Sequence, residues 1–295
     1  MKLPSRNIML FNGAAALLVG ASLTYVVKSL AFSEGTPPCS ERFEKGVQMA
    51  LETAGRPVAT ADLQARAVGT DWSLLERTQI VKVAAGPSAY AMQFDLAAPG
   101  AANQSREGAG FIWAPRAMKT AKSACLAYSV FLPENFKFGG GGQLPGLMGL
   151  MAPGNGDEAA QESGSSPANE QQAAQDGDVI FSAGPIWNKE AIGQFVARGP
   201  QVFVLQKGGY GKFEFPRGKW VRLEQEIVLD TTSLGNGIMR LWLDGELKFN
   251  AVLAKSNKVA GMTGVLSEVA VAGQRVDPKA KEQKISISPF VVYWK

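Results

Sequence analysis

A two-residue alternation of apolar and polar side chains runs through the later part of this 295-residue chain. It is clearest over residues 219–229, where alternate positions are apolar: Val221, Leu223, Ile227 and Leu229. Residues 90–96 and 126–132 repeat the pattern less regularly. Successive side chains of a β-strand point to opposite faces of its sheet, so the alternation predicts strands that bury one face.

Turn signals separate these strands. The dipeptide Asp244-Gly245 stands between two apolar runs, and Asp-Gly is favoured in the type I′ turns of two-residue hairpins. The apolar run over residues 285–294 is predicted to close the sheet. Many short strands separated by glycine, proline and asparagine predict an all-β fold in residues 79–295, a sandwich or jelly roll of antiparallel sheets.

Two segments depart from the alternation. Residues 34–78 are predicted to hold a linker and one short amphipathic helix within residues 39–54, with apolar positions at Phe43, Val47, Met49, Ala50 and Leu51. Residues 151–178 carry six acidic residues and neither basic nor aromatic residues. Such a segment buries too little apolar surface to offset its ordering entropy, so we expect a disordered insertion between strands.

The N-terminal residues 1–33 predict export from the cytoplasm. Residues 8–27 are uncharged, follow Lys2 and Arg6, and are long enough to cross a bilayer core as one hydrophobic helix. They suit an uncleaved membrane anchor or a cleaved signal peptide, because Ala31-Phe32-Ser33 has small residues where cleavage requires them. In both cases residues 34 onward lie beyond the membrane, in the periplasm, at the membrane surface or outside the cell.

The chain has two cysteines, Cys39 and Cys125, and no histidine. In an oxidising compartment the two cysteines are expected to form a disulfide, and the alternative is a pair of buried thiols. With no histidine, two cysteines make a poor zinc or haem site, so we expect neither a metal nor another cofactor.

The formal charge of +4 is mild, and the basic residues do not form a cluster of the kind that binds nucleic acid. An exported basic protein is better suited to an acidic polysaccharide, and a neutral polysaccharide remains open. Trp187, Trp220 and Trp242 either stack on sugar rings or belong to the core, because each lies in an alternating strand.

Residues 128–149 have the sequence YSVFLPENFKFGGGGQLPGLMG. They resemble a signature of the alginate and glucuronan lyases of polysaccharide lyase family 14, in which a strand and a glycine-rich turn precede Lys-Leu-Pro-Gly-Leu. Residues 181–187 and 211–249 resemble later parts of the same family, so the resemblance covers about residues 80–295. It implies a concanavalin-like jelly roll with a concave face that holds a sugar polymer.

The resemblance also places substitutions at the positions that carry the chemistry. The family's lysine corresponds to Gln143, its tyrosine strand to Phe195 and Ala197, and an arginine to Gly184. We expect Gln143, Phe195 and Ala197 to lie together on the concave face. The candidate substrate-binding residues are Gln143, Trp187, Phe195 and Arg198, and the remaining candidates for catalysis are Gln143, Lys189, Arg198 and Tyr210.

Two functions are therefore expected to compete. The first is a catalytically impaired polysaccharide-binding protein of the cell envelope, because phenylalanine and alanine cannot transfer a proton and glutamine cannot act as a base. The alternative is an active lyase that cleaves a uronate polymer by β-elimination with a relocated base and acid.

Overall fold

Two antiparallel sheets pack face to face and bury one apolar core between them. The computed structural model describes residues 36–69, 71–96, 106–118, 120–151, 180–199, 203–205, 211–232, 236–254, 256–272 and 283–295. These residues belong almost wholly to one compact unit, Pro38–Lys295. The predicted N-terminal segment 1–33 and insertion residues 152–178 lie outside them. None of the described helices is long and apolar enough to span a membrane.

Among the described residues, the large sheet has ten strands, all paired antiparallel. Eight form one continuous order: β12 (Phe203–Leu205), β16 (Glu246–Ala254), β15 (Gly237–Leu243), β14 (Trp220–Val228), β7 (Ser123–Phe131), β18 (Lys284–Ile287), β5 (Tyr90–Asp95) and β4 (Thr78–Lys82). Two further strands continue beside β7: β19 (Val291–Trp294) and, paired with it, β1 (Gly46–Gln48).

In the part of the chain that the structure describes, the small sheet has seven strands and is also antiparallel. Its order is β13 (Phe213–Glu214), β11 (Ile192–Arg198), β10 (Ile180–Asn188), β8 (Gly141–Gln143), β17 (Val259–Ala272) and β6 (Arg106–Trp113). Strand β9 (Gly146–Met151) continues β8 between β10 and β17. The remaining elements are the hairpin β2 (Glu52–Thr53) and β3 (Arg56–Pro57), α1 (Thr60–Gln64), α2 (Leu74–Arg77) and two 3-10 turns, Cys39–Glu41 and Ser256–Lys258.

The alternating segments behave as predicted. In β14 the odd-numbered apolar residues Val221, Leu223 and Ile227 are buried in the core. Asp244 and Gly245 have φ values of 48° and 83°, as a type I′ turn requires, and they join β15 to β16. The run over residues 285–294 forms two strands, β18 and β19, which pair with successive parts of β7. The predicted all-β jelly roll is confirmed.

The helix predicted within residues 39–54 is wrong. Apart from the short turn Cys39–Glu41, the segment is extended, and β1 pairs with β19 along the edge of the large sheet. Met49 and Leu51, two residues apart, are both buried, and Val47 packs against the same core. Pairing with a strand more than 240 residues away in sequence therefore overrides a weak helical pattern that Gly46 already disfavours.

Residues 39–43, here called the strap, lie across the middle of the outer face of the large sheet. The predicted disulfide joins Cys39 to Cys125 on β7 across 86 residues, with a Cα–Cα distance of 5.8 Å. Both cysteines pack with Phe43 and Trp242 in a small apolar cluster, and the guanidinium of Arg42 lies 5.6 Å from the centre of the Trp242 ring. Trp242 is therefore a packing residue.

Two buried carboxylates lie beneath the strap. Glu226 accepts hydrogen bonds from Arg42 at 2.7 Å and from Arg240 at 3.0 Å, and its side chain is 1% exposed. Glu224 accepts from the backbone N–H and hydroxyl of Ser40, both at 2.9 Å, and from Arg222 at 2.7 Å. Every one of these bonds is charge-assisted, so the network stabilises the strap on the sheet.

Candidate functional site

Strands β10 and β11 show which side chains face the core and which face outward. The odd-numbered residues Ala183, Trp187 and Phe195 are at most 2% exposed and belong to the core. Side chains alternate along a strand, so the even-numbered residues take the outer face of the small sheet. That face is partly open and carries Arg198.

A shallow cleft lies on this outer face, with about 290 Å³ of space including its open mouth. Strands β8, β10, β11 and β17 and the turn after β8 contribute its walls. Its lining includes Gln143, Gly184, Ile186, Val196, Arg198 and Glu268. Because the cleft is shallow and open, it accommodates only a small part of a longer ligand.

A hydrogen bond from Arg198 to Gln143 crosses the cleft. The Nη1 group of Arg198 donates to Oε1 of Gln143 at 2.9 Å. Arg198 pairs with Ser182 across the sheet and Gln143 pairs with Ile186, so Gly184 lies between the two partners on the same face. A Cβ atom at Gly184 would lie 3.1 Å from the Leu144 carbonyl oxygen and 3.2 Å from the Cα atom of Gly146, so the neighbouring strand approaches closely there.

The backbone beside Gln143 is fixed from the opposite sheet. The segment that links β8 to β9 contains one more residue than the part of β10 that it faces. The chain therefore bulges at Leu144 and Pro145. The Pro145 carbonyl turns into the core, where it accepts hydrogen bonds from the Tyr128 hydroxyl at 2.9 Å and from Nε2 of Gln225 at 2.7 Å. Both donors lie on the large sheet, so they connect the two sheets directly below the cleft.

Burial raises the pKa of the Tyr128 hydroxyl well above its ordinary value, and the hydrogen bond from Gln225 opposes this only in part. Loss of the proton would leave an anion facing a carbonyl oxygen in the core. The hydroxyl therefore stays protonated and continues to donate to Pro145 at neutral pH.

Arg198 and Glu268 are the two ionisable residues among the described residues that line the cleft. Glu268 is 9% exposed and lies on β17, where it pairs with Gly110 of β6. Glu268 was not among the predicted site residues. Its signal was nevertheless present, because Val265, Val269 and Val271 occupy the alternate, buried positions of the same strand.

Several predicted site residues are placed differently from the expectation. Phe195 and Ala197 do not share a face with Gln143: Phe195 is fully buried against Phe249, and Ala197 packs on the same core. Their even-numbered neighbours on β11 take the cleft face instead. The physical reason is that the large aromatic ring of Phe195 fills the core, which fixes the orientation of the strand.

Trp187 is also a core residue. Its ring is 2% exposed, and its indole N–H donates to the Phe138 carbonyl at 2.9 Å. Lys189 lies in the exposed turn between β10 and β11, beside Glu190 at 3.6 Å. Tyr210 lies outside the described residues. Of the predicted site residues, the structure therefore brings Gln143 and Arg198 together.

One group of metal-type ligands occurs among the described residues, formed by Cys39, Cys125 and Glu224. The two sulfur atoms are bonded to each other, and Glu224 is bound by Ser40 and Arg222. A disulfide offers no thiolate, so this group does not suit a metal ion.

Comparison with protein families decides the relationship that the motifs indicated. A family model described as Polysaccharide lyase 14 matches residues 85–277. The chain belongs to the polysaccharide lyase 14 family. No curated protein matches the sequence.

Several solved lyase structures have a fold similar to that of this chain. The PL-14 alginate lyase from Aplysia kurodai is 21% identical, with a TM-score of 0.53 over 76% of this chain and 89% of the lyase. Alginate lyase Aly36B is 14% identical, with a TM-score of 0.55 over 85% and 97% of the two chains. A mutant of Aly36B bound to an alginate trisaccharide is 11% identical, with a TM-score of 0.54 over 86% and 99%. At these identities the likeness concerns the fold.

Proposed function

We propose that this protein binds an anionic polysaccharide in the outer-face cleft of the small sheet and holds it without cleaving it. The observation that carries the proposal is the hydrogen bond from Arg198 to Gln143, which presents an oriented guanidinium at an open face. The Nη1–Gln143 bond occupies only part of that guanidinium, which has five N–H donors in a planar fork that matches a carboxylate. The alginate oligosaccharide complexes of Aly36B support a uronate polymer as the ligand.

Binding without cleavage is favoured by Arg198 and the neighbouring residues Gln143 and Val196. A β-elimination needs a group that neutralises the uronate carboxylate, a base that removes the C5 proton and an acid that protonates the leaving oxygen. Arg198 serves the first task, but a guanidinium has no acceptor atom with which to take up a proton. Gln143 and Val196, which face the cleft, offer neither a base nor an acid.

Glu268 favours a second candidate function, an active lyase. Its carboxylate lines the same cleft as Arg198, so Arg198 would neutralise the uronate while Glu268 removes the C5 proton. The bond from C4 to the glycosidic oxygen would then break, and that oxygen would take its proton from water. The elimination product contains a carbon–carbon double bond conjugated to the carboxylate, and its ultraviolet absorbance rises with turnover. A rise in native protein that Glu268→Gln abolishes would replace the binding function by this one.

Calorimetric titration with alginate and glucuronan tests the binding proposal. We expect Arg198→Ala to weaken binding about tenfold, as loss of one charge-assisted hydrogen bond pair predicts. Arg198→Lys should recover only part of this affinity, because lysine keeps the charge and loses the planar fork. Lys189→Ala removes an exposed cation outside the cleft and serves as the matched control. Equal affinities for the native protein and Arg198→Ala would refute the proposal.

A second experiment tests whether a lysine and a tyrosine on the cleft face are sufficient to produce cleavage. Gln143→Lys together with Val196→Tyr places a lysine and a tyrosine on the cleft face, where the sheet register puts both positions. We expect slow cleavage in the double variant and none in Gln143→Lys alone. Native protein that already cleaves the polymers as fast as the double variant would contradict the impaired assignment.

We also propose that the protein works beyond a membrane. The Cys39–Cys125 disulfide supports this location, because such bonds persist in oxidising compartments. The uncharged segment 8–27 would direct export, as an anchor or as a cleaved signal. Thiol labelling of protein taken directly from cells tests the proposal: free thiols at Cys39 and Cys125 in the mature protein would argue against it.

A further inference from the structure

Trp72 adds an aromatic side chain to the same outer face of the small sheet. Its backbone exchanges two hydrogen bonds with Gly110 of β6, at 2.9 and 3.0 Å, so residue 72 extends the sheet beyond β6. A Cβ atom built on Gly110 would overlap the pyrrole ring of Trp72. The indole therefore lies over Gly110, on the side to which a side chain at that position would point.

That side is the cleft side. Gly110 pairs with Glu268, and paired residues of an antiparallel ladder point to the same face. Glu268 lines the cleft, whereas Ala109 and Phe111, the neighbours of Gly110, are buried in the core. Trp72 and the cleft therefore belong to one continuous surface.

Two other tryptophans form hydrogen bonds through the indole N–H, and within the described part of the chain Trp72 does not. Trp187 and Trp220 donate their indole N–H groups to the carbonyls of Phe138 and Ala85. Among the described residues, the indole N–H of Trp72 has no acceptor, and the side chain is half-buried. A partly exposed indole is suited to a ligand that is apolar on one side and polar at its edge.

The segment that carries Trp72 is held on both sides. Asp71 accepts two hydrogen bonds from Nε2 of Gln64, at 3.1 and 3.2 Å. Leu74 is fully buried, and the backbone N–H of Arg77 donates to the carbonyl of Ser73 at 3.0 Å. The ring is thus positioned before any ligand arrives, which reduces the entropy lost on binding.

We propose that Trp72 forms a sugar-stacking subsite at the β6 edge of the small sheet, separate from the Arg198 subsite of the cleft. Pyranose rings present C–H groups on a face, and these pack on an indole. Glu268 lies between the two subsites, where its carboxylate accepts hydrogen bonds from sugar hydroxyls. This inference rests on the proposed function and extends it from a cleft to a binding surface that crosses the strands.

The sheet geometry sets the length of ligand that reaches both subsites. Three strand spacings separate residue 72 from β8 and β9, which corresponds to about 14 Å. Ile112 and Leu266, paired on β6 and β17, form a half-buried apolar floor on this path. A disaccharide occupies one subsite, whereas a hexasaccharide covers both.

The test is a calorimetric comparison of an alginate disaccharide and an alginate hexasaccharide on the full chain. We expect Trp72→Ala to weaken hexasaccharide binding about five- to tenfold and to leave disaccharide binding unchanged. Trp72→Phe should retain most of the affinity. Gly110→Ala keeps the tryptophan but displaces its ring, and we expect it to behave like Trp72→Ala. Trp220→Ala, on the large sheet, is the matched control.

The outcomes separate this inference from the proposed function. If Arg198→Ala weakens binding and Trp72→Ala does not, the stacking subsite is refuted and the cleft stands. If neither native oligosaccharide binds, both are refuted. A neutral glucan hexasaccharide that binds through Trp72 but not Arg198 would support the subsite and overturn the anionic assignment of the polymer.

Discussion

The two outer faces of the sandwich both carry charged side chains, but these differ in burial and in the charge of their partners. On the large sheet, Glu226 is 1% exposed and bound by Arg42 and Arg240 beneath the strap. On the small sheet, Arg198 is exposed and its described partner, Gln143, is neutral. One face satisfies its charges internally, and the other keeps a guanidinium oriented toward solvent.

The difference separates stability from binding. Substitution of one member of a buried ion-pair network costs much stability, because the remaining charges are left buried and uncompensated. An exposed arginine oriented by a single neutral hydrogen bond contributes little to folding and retains donors for a ligand. We therefore expect substitutions on the large-sheet face to change stability and substitutions on the small-sheet face to change affinity.

The largest expected effect is loss of the disulfide. Cys39→Ala with Cys125→Ala removes a link that closes 86 residues, and we expect the free energy of unfolding to fall by about 3–4 kcal/mol. Urea denaturation at equilibrium measures this change. Affinity for an alginate hexasaccharide at low temperature should not change. A parallel loss of affinity in the folded variant would show that the two faces are coupled.

Next in size is the effect of Glu226→Gln. The variant loses the carboxylate between Arg42 and Arg240, and we expect unfolding to become easier by about 2–3 kcal/mol. Glu190→Gln is the matched control, because Glu190 pairs with Lys189 at the surface, and its cost should stay below about 0.5 kcal/mol. Similar costs for the two variants would contradict the contrast between buried and exposed pairs.

A smaller effect is expected where Tyr128 and Gln225 of the large sheet donate to the Pro145 carbonyl of the small sheet. Tyr128→Phe removes the hydroxyl that donates to Pro145 while Gln225 still donates, so the expected loss is about 1 kcal/mol. The pKa of Tyr128 is raised in the folded state, so its proton is lost from the unfolded chain first. The difference in the free energy of unfolding between the native protein and Tyr128→Phe should therefore be complete below about pH 10 and decrease above it. Denaturation curves at several pH values measure this difference, and a difference that grows with pH would have the wrong sign.

The smallest effect on stability is expected for Arg198→Ala. The side chain is exposed and makes one described hydrogen bond, so the free energy of unfolding should change by less than about 0.5 kcal/mol. Thermal denaturation beside Arg240→Ala, its counterpart on the large sheet, checks this. A destabilisation as large as that of Arg240→Ala would assign Arg198 a structural role.

Alternation was sufficient to predict the strands and the fold class, because burial of one face repeats every two residues wherever a strand lies on a core. The Asp244-Gly245 turn was also predictable, since its positive φ angles favour those residue types. The segment after Cys39 was not. Its apolar positions suit a helix or a strand, and pairing with β19, at the far end of the chain, decided between them.

The candidate site was predicted in part, for a related reason. Gln143 and Arg198 were identified and do meet, but Phe195 and Ala197 were assigned to the wrong face. In β11 both sets of alternate positions contain apolar residues, so hydrophobicity alone does not orient the strand. Packing of Phe195 against Phe249 on the other sheet orients it, and that contact is not visible in the local sequence.

The strap also determines how the sandwich would carry mechanical load. A pull applied at Pro38 passes through Cys39 and the sulfur–sulfur bond to Cys125, so it bypasses the chain between them. It arrives on β7, which is hydrogen-bonded to β14 along one edge and to β18 and β19 along the other. Many backbone hydrogen bonds then share the tension. If a bound polymer pulled on the small sheet, the disulfide on β7 would anchor the large sheet against that pull.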